Sequence, residues 1–493
     1  MSKNIVTFYL VVFCIAATLL AGCIPEDSLE WSEDGSVGLL RIDGTLFLVD
    51  GNSGQLTEVT RENIQAWPDI SKDGNLIAYS RDVECNDLSE GLKMLPPGQI
   101  EIIKKGAGRI YRKILITREI KDGNFPEPDE ELLKPGDYKN WAIRYLCENA
   151  DDQIKKVLGD KGITLGKEKR ISYFQVVVVP VDNLNNKRVI ATNIFGTVAA
   201  KLSPDNRYVS YIMQTQHGRE EDEYSLYAAS LEGDVKTMLI DERVALGYDW
   251  RKDSKAIAYL KSDSADYSGD DGVLGTLRER MVADDNNLLA SPADNTSIQA
   301  YDCNSVASSY AGLIFYPWQK VRYGANGRIF FSTAAMSLPV SKINEGRWSL
   351  FCFDPGIGTV SDVLPQNVSN ICQSLAMLQF ELSPDGKKVL LPIKYNRFVI
   401  YELGTDSMDI PIDEDEEFGE EDISEFIPMW KGNNEISFMV SDKSHFLPEQ
   451  KDHENVEGQV RNEIIILDET NNQSRILSSS WPDEIMDELK SDN

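Results

Sequence analysis

An all-β fold assembled from repeated four-stranded sheets is predicted by three features of this sequence: a recurring turn, the apolar alternation after it, and the spacing of the copies. The turn is most legible at Leu382-Ser383-Pro384-Asp385-Gly386. Pro presets φ at the second turn position, Asp suits the third, and Gly supplies the left-handed residue that leads into a hairpin. Aligning on it gives seven copies: Trp31–Gly35, Ile70–Gly74, Leu202–Asn206, Trp250–Ser254, Tyr323–Gly327, Leu382–Gly386 and Trp430–Asn434. Each opens on a large apolar residue. Asn206 and Asn434 replace Gly with the residue that next best tolerates a left-handed backbone, and Ser254 is the poorest fit. Two residues on one strand face follow the turns, as Ile77 and Tyr79, Val209 and Tyr211, Ile257 and Tyr259, and Val389 and Leu391. In the first, fifth and seventh copies the pair comes one residue sooner, a difference that turn length absorbs without slipping the strand.

Four short strands every 40 residues or so, with Asp-Gly turns and no edge-covering helices, fit a β-propeller of radial blades around a channel. Seven blades are expected over 31–477. Six or eight are the alternatives, because no first strand is evident before Trp31.

In chain order, Met1 to Gly22 reads as a targeting segment, with Lys3 in a short charged region followed by the apolar run Ile5 to Leu20. It ends in Leu20-Ala21-Gly22-Cys23, which resembles a bacterial lipobox. That resemblance implies an acylated Cys23 as first mature residue, with 23–30 as lipidated Cys and tether, and an extracytoplasmic, membrane-anchored protein. Ile24 rather than Asp after the Cys favours the outer membrane in a diderm cell, and the cell surface otherwise. The first repeat follows, with strands at 37–42, 45–49 and 56–59. The second opens at Leu76 and is interrupted: 132 residues separate Gly74 from Asn206, against 39 between Gly35 and Gly74. A mixed α/β insertion over 86–169 accounts for the excess. Gln99 to Ile103 and Ile110 to Ile120 read as β or mixed segments, and Asp137 to Asn149 as a helix. From Lys93 to Arg170 there are 17 Lys and Arg against 13 Asp and Glu, in a chain whose net charge is −30. The insertion is compositionally foreign. Blades resume at Phe174 and continue to Leu477, leaving 478–493 as a short tail.

Leu202-Ser203-Pro204-Asp205-Asn206 and Leu382 to Val389 resemble the repeats of TolB-type, WD40-like propellers over most of the chain. The resemblance implies the fold. It does not imply the Tol-Pal role, because TolB carries an α/β domain before its propeller and here the propeller begins eight residues after Cys23.

Several chemistries are excluded by the residues. A pI near 4.5 argues against nucleic acid as a partner. There is no Gly-x-Ser-x-Gly elbow, no phosphate-cradling loop, and with only His217, His445 and His453 no zincin pair. No enzyme activity and no cofactor are expected. Asp263, Asp266, Asp270 and Asp271 are a weak calcium candidate, and eight acids between Asp413 and Asp422 read as a solvated loop. Trp348, Tyr395 and Tyr401 read as core rather than as a glycan platform. Cys352 with Cys372, and Cys85 with Cys147, are candidate disulfides, with buried thiols as the alternative. The expected function is a lipid-anchored, non-enzymatic protein-interaction scaffold of the bacterial envelope. Its partners would be the membrane through the lipid and an envelope protein or glycan, with the insertion as binding surface. The alternative is a glycan-binding or lyase-like propeller with an axial carboxylate site.

Overall fold

In the computed structural model, residues 28–119, 137–149, 171–217, 222–262, 273–284, 319–335, 347–365, 379–392, 398–409, 428–440 and 463–482 are described in the main, with a few short stretches between them. The chain is an all-β propeller of seven four-stranded blades. Blade 1 comprises Ser28–Trp31, Val37–Ile42, Thr45–Asp50 and Leu56–Thr60. Blade 2 comprises Ile64–Ile70, Leu76–Cys85, Ile171–Pro180 and Arg188–Asn193. Blade 3 runs from Thr197 to Glu242, blade 4 from Val244 to Tyr301, blade 5 from Val321 to Asp362, blade 6 from Glu381 to Asp409, and blade 7 from Met429 to Ile476. All pairings among the described residues are antiparallel, with two additions to the blades: Ala283–Asp284 pairs with Asn287–Leu288 between the third and fourth strands of blade 4, and a further strand bridges blades 4 and 5. Leu313–Phe315 pairs with both the third strand of blade 4 and the second strand of blade 5, joining those two blades into one sheet.

The first strand of blade 1, Ser28–Trp31, begins inside the stretch expected as tether. Its alternation of small, apolar and charged residues is too short to register as a strand in sequence. It completes blade 1, so no strand is borrowed from blade 7. Closure rests instead on side chains. Each of the seven inter-blade interfaces has its own buried apolar cluster, such as Leu39, Ile70, Tyr79 and Val177 between blades 1 and 2. The seventh, between blades 7 and 1, gathers Leu29, Leu40, Phe47, Met439, Ile464, Leu477 and Trp481. Trp31 Nε1 donates to Ser437 Oγ at 2.9 Å and Trp481 Nε1 to the Gly54 carbonyl at 2.7 Å across the same seam.

The recurrent turn has a uniform mechanism. In blades 1, 2, 3 and 6 the Ser hydroxyl donates to the Asp carboxylate, as from Ser383 to Asp385 at 2.8 Å. That carboxylate also accepts the backbone N–H two residues on, as from Lys387 at 3.1 Å. The left-handed position is held by Gly35, Gly74, Asn206, Ser254, Gly327 and Gly386. In blade 7 it is Gly432, two residues before the expected Asn434, so that turn is shorter than the alignment implied. Ser254, the poorest match, adopts φ 60 because its Oγ accepts the Asp205 N–H of blade 3 at 3.0 Å.

The insertion lies between the second and third strands of blade 2 and is helical in its described part. Helix α1 spans Leu88–Met94, α2 Pro97–Glu119 and α3 Asp137–Asn149. The β or mixed expectation for 99–103 and 110–120 is thus corrected as far as Glu119, with Ile120 outside the described residues. Ile100, Ile103, Ala107 and Ile110 recur at helical spacing, and these positions pack against α3 and blade 2.

Candidate functional site

Strand direction assigns each part of the chain to one of two propeller faces. First strands run from the face where they begin to the face of the Ser-x-Asp-Gly turns, and the antiparallel order returns the chain each time. Turns between first and second strands therefore share a face with those between third and fourth, as the Gly51 N–H to Ser36 carbonyl bond of 2.8 Å shows. This is the turn face. Connections between second and third strands, and between blades, lie on the other side, which we call the connection face. There the Ile64 N–H at the start of blade 2 reaches the Gly44 carbonyl at 3.3 Å. Nearly all the long excursions leave from the connection face, including the insertion; 282–297 of blade 4 is an exception.

The insertion is firmly seated. Trp141 on α3 is fully buried, and its indole N–H donates to the Ser172 carbonyl at 2.6 Å. Gln99 on α2 donates to Asn193 Oδ1 at 2.8 Å and accepts the Ile194 N–H at 3.0 Å. Leu88, Leu95, Ile103 and Trp141 cover Ile171, Tyr173, Ile194 and Phe195 at the end of blade 2. No disulfide joins Cys85 to Cys147. The Cys85 thiol donates to the Asp87 carbonyl at 2.9 Å. Cys147 lies six residues beyond Trp141 on α3, about 9 Å along the helix, in a separate cluster with Ala107 and Ile143. Cys352 is a buried thiol, pushed up to about 11 by burial.

A second constellation surrounds the axis. The residue just before the apolar leader of each turn is Glu30, Asp69, Lys201, Asp249, Arg322, Glu381 or Met429, on the first strands of blades 1 to 7 in order. Because strands alternate, the leader enters the inter-blade core while its predecessor faces the channel. Most of these charged groups reach the next blade. Asp69 Oδ2 accepts the Leu202 N–H at 2.7 Å, and Lys201 Nζ donates to the Tyr248 carbonyl at 2.8 Å. Asp249 Oδ2 accepts the Tyr323 N–H at 2.8 Å. Arg322 forks onto both Glu381 oxygens at 3.0 Å, and Lys320 joins the same carboxylate. The chain of ties runs from blade 2 to blade 6. It lapses at blades 7 and 1, where Met429 and Glu30 stand.

Electrostatics divide the ring. Burial would raise Glu381, but Arg322 and Lys320 outweigh it and hold its carboxyl down to about 2. Asp69 is pushed up to about 8, by burial first and then by the charge of Glu30. Burial, then Arg322, lowers Lys201, and burial raises Glu30. In one half of the ring a carboxylate is held between two cations, and in the other burial favours the protonated form of the acids.

Sequence reasoning aligned the turns but did not read the column before them, although six of its seven members are charged. Of the predicted site residues, Cys23, Cys372, the four Asp of the calcium candidate, His445, His453 and the acidic run lie outside the described residues. His217 is the last residue of the second strand of blade 3. Tyr401 is core, 3% exposed.

The fold and both constellations define a seven-bladed propeller with a tight-turn face and an elaborated connection face. No family model and no curated protein matches the chain. Among solved structures it is similar to TolB from Acinetobacter baumannii, at 11% identity and TM-score 0.35 over 61% of this chain and 58% of that one. It is also similar to Kuenenia stuttgartiensis hydrazine synthase, at 10% identity and TM-score 0.40 over 78% of each chain. A third is oligogalacturonate lyase from Vibrio parahaemolyticus, at 10% identity and TM-score 0.37 over 73% of this chain and 72% of that one. The blade count rests on the strand pairing given above.

Proposed function

We propose that this protein is a lipid-anchored, extracytoplasmic propeller acting as a non-enzymatic interaction scaffold of the bacterial envelope, with the helical insertion as its recognition element. The observation that carries this reading is the seating of the insertion. Three helices with their own buried clusters, fixed to blade 2 by Trp141 and Gln99, form a rigid body rather than a loose loop. The axial ring supports the absence of catalysis, since most of its charges are engaged in ties between blades. Deleting the insertion is a poor test, because it would uncover Ile171, Tyr173, Ile194 and Phe195. A photo-crosslinking residue at exposed Glu90 of α1, with exposed Lys387 on the turn face as control, keeps the fold intact. In membranes of the producing cell a discrete protein adduct is expected from position 90 alone. Equal adducts from both positions, or none, would overturn the assignment.

A glycan-acting reading has one observation in its favour: the Glu30 carboxylate has no hydrogen-bond or ion-pair partner among the described residues and lies beside the proton-holding Asp69. Polysaccharide turnover that is lost in Glu30→Gln and in Asp69→Asn would replace the scaffold reading. No turnover across acidic and neutral polysaccharides would dispose of the enzyme.

A further inference from the structure

The outward side of α2 carries a stripe of opposite sign to the rest of the molecule. Lys105, Arg109 and Arg112 are exposed and spaced four and three residues apart, which places them on one helix face opposite Ile103, Ala107 and Ile110. None of the three is within ion-pair distance of a carboxylate among the described residues; Glu101, one turn before Lys105, feels the charge of Lys105 but is paired with neighbouring Lys104 at 2.8 Å. Topology adds an independent constraint. Ser28 begins the first strand of blade 1 and therefore sits on the connection face, next to the blade that bears the insertion. Cys23 is five residues upstream, a span of at most about 18 Å. A bilayer holding a lipid on Cys23 thus lies close to the connection face, and the outer surface of α2 is turned away from the blades.

We propose that this stripe rests on the headgroups of an anionic membrane and sets the propeller with its connection face toward the bilayer and its turn face outward. This rests on the lipid-anchor reading of Cys23. It gives the insertion a second partner, the lipid surface itself, beside the protein met by α1. Basic residues near an anionic surface attract it through the surface potential, and the attraction is screened by salt. The rest of the chain is acidic, so the stripe is the part of the described connection face best suited to that contact.

The test uses the full-length lipidated protein in nanodiscs of phosphatidylcholine, alone or mixed with phosphatidylglycerol, with lysine acetylation rates read by mass spectrometry. Lys104 and Lys105 are expected to label about fivefold more slowly on the anionic discs at low salt, and to recover at high salt. Exposed Lys72 and Lys387, on the turn face, should not change. The double variant Arg109→Glu/Arg112→Glu should lose the slowing. Equal rates on the two lipids, or slowing at the turn-face lysines, would overturn the proposal. So would slowing seen only in native membranes, which would assign the stripe to a protein. The mass of Cys23 is read from the same sample. If it carries no lipid the anchor reading fails, and co-sedimentation of the same chain with anionic but not neutral vesicles would still support the stripe; failure of both would remove it.

Discussion

Trp481→Ala should open the propeller at one seam rather than weaken it everywhere. Blades 1 and 7 each own four strands, so among the described residues the ring is closed between them by side chains, through apolar packing and a few hydrogen bonds, and not by a shared strand. Trp481 is 6% exposed, lies against Leu29, Phe47 and Ile464, and donates its indole N–H to the Gly54 carbonyl. Burying an aromatic of this size is worth roughly 3 to 5 kcal/mol when truncated to Ala. Trp481 stands beside the short 3-10 turn Ser478–Ser480 at the end of the blade, where water can refill the space. The lower figure, about 3 kcal/mol including the hydrogen bond, is therefore the appropriate one. That corresponds to about a hundredfold faster opening of the seam. Hydrogen exchange followed by mass spectrometry should show the loss in 28–31, 37–50 and 435–440, with 208–213 and 256–260 between blades 3 and 4 unaffected. Uniform acceleration across all blades, or a change below about tenfold at the seam, would refute closure by side-chain packing.

Three further outcomes follow from single positions. Asp69 keeps a proton in the folded state up to about 8, whereas the unfolded chain releases it near 3.8. The folded state therefore binds more protons between those values, and its stability falls as pH rises through that window. Asp69→Asn retains an acceptor for Leu202, so its melting temperature should exceed that of the native protein by more at pH 8 than at pH 5; a pH-independent difference would contradict the burial of this carboxyl. A Cβ on Gly247 would overlap the Gln319 carbonyl oxygen, so Gly247→Ala should give insoluble or markedly destabilised protein in expression and melting assays. Ser254→Gly should leave the melting temperature nearly unchanged, since relief of a left-handed serine offsets loss of the cap on Asp205. Ser254→Ala keeps the strain and loses the cap, costing roughly 1 to 2 kcal/mol in urea titration.

The blades were legible because their turns are a backbone requirement written in few residue types. Ser383, Asp385 and Gly386 each have one job in the corner, and the apolar pairs behind them have to face the neighbouring blade. Strand Ser28–Trp31 was not legible, because four residues carry no period and its burial comes from blade 7, more than 400 positions away. The helical character of 97–119 was hidden by isoleucines that favour strands on propensity; the apolar spacing decided it once α3 and blade 2 supplied a surface to pack on. The axial ring lies in between. Its column could be read from the alignment, but no local rule says that Glu30, Asp69 and Arg322 meet.

The division between the two faces constrains where function can reside more tightly than the insertion alone does. Each Ser-x-Asp-Gly corner is held by its own hydrogen bonds and by a neighbouring corner, as Asn206 holds Asp73 at 2.8 Å and Asn433 accepts the Asp385 N–H at 2.8 Å. Asp73 is held down to about 2 by hydroxyl and amide donors that outweigh its burial, so this acid stays charged throughout the physiological range. A surface built of interlocked corners has little freedom to vary without cost to the fold. The connection face has that freedom, because a strand pair such as Cys85 and Ile171 fixes only where a connection starts and ends. An insertion there leaves the second and third strands of blade 2 paired without a break from Leu76 to Cys85, and the same topology brings the start of the first strand of blade 1 to that side. On the proposed lipid-anchored reading, recognition and attachment therefore fall on one face, with the rigid corners as the opposite side.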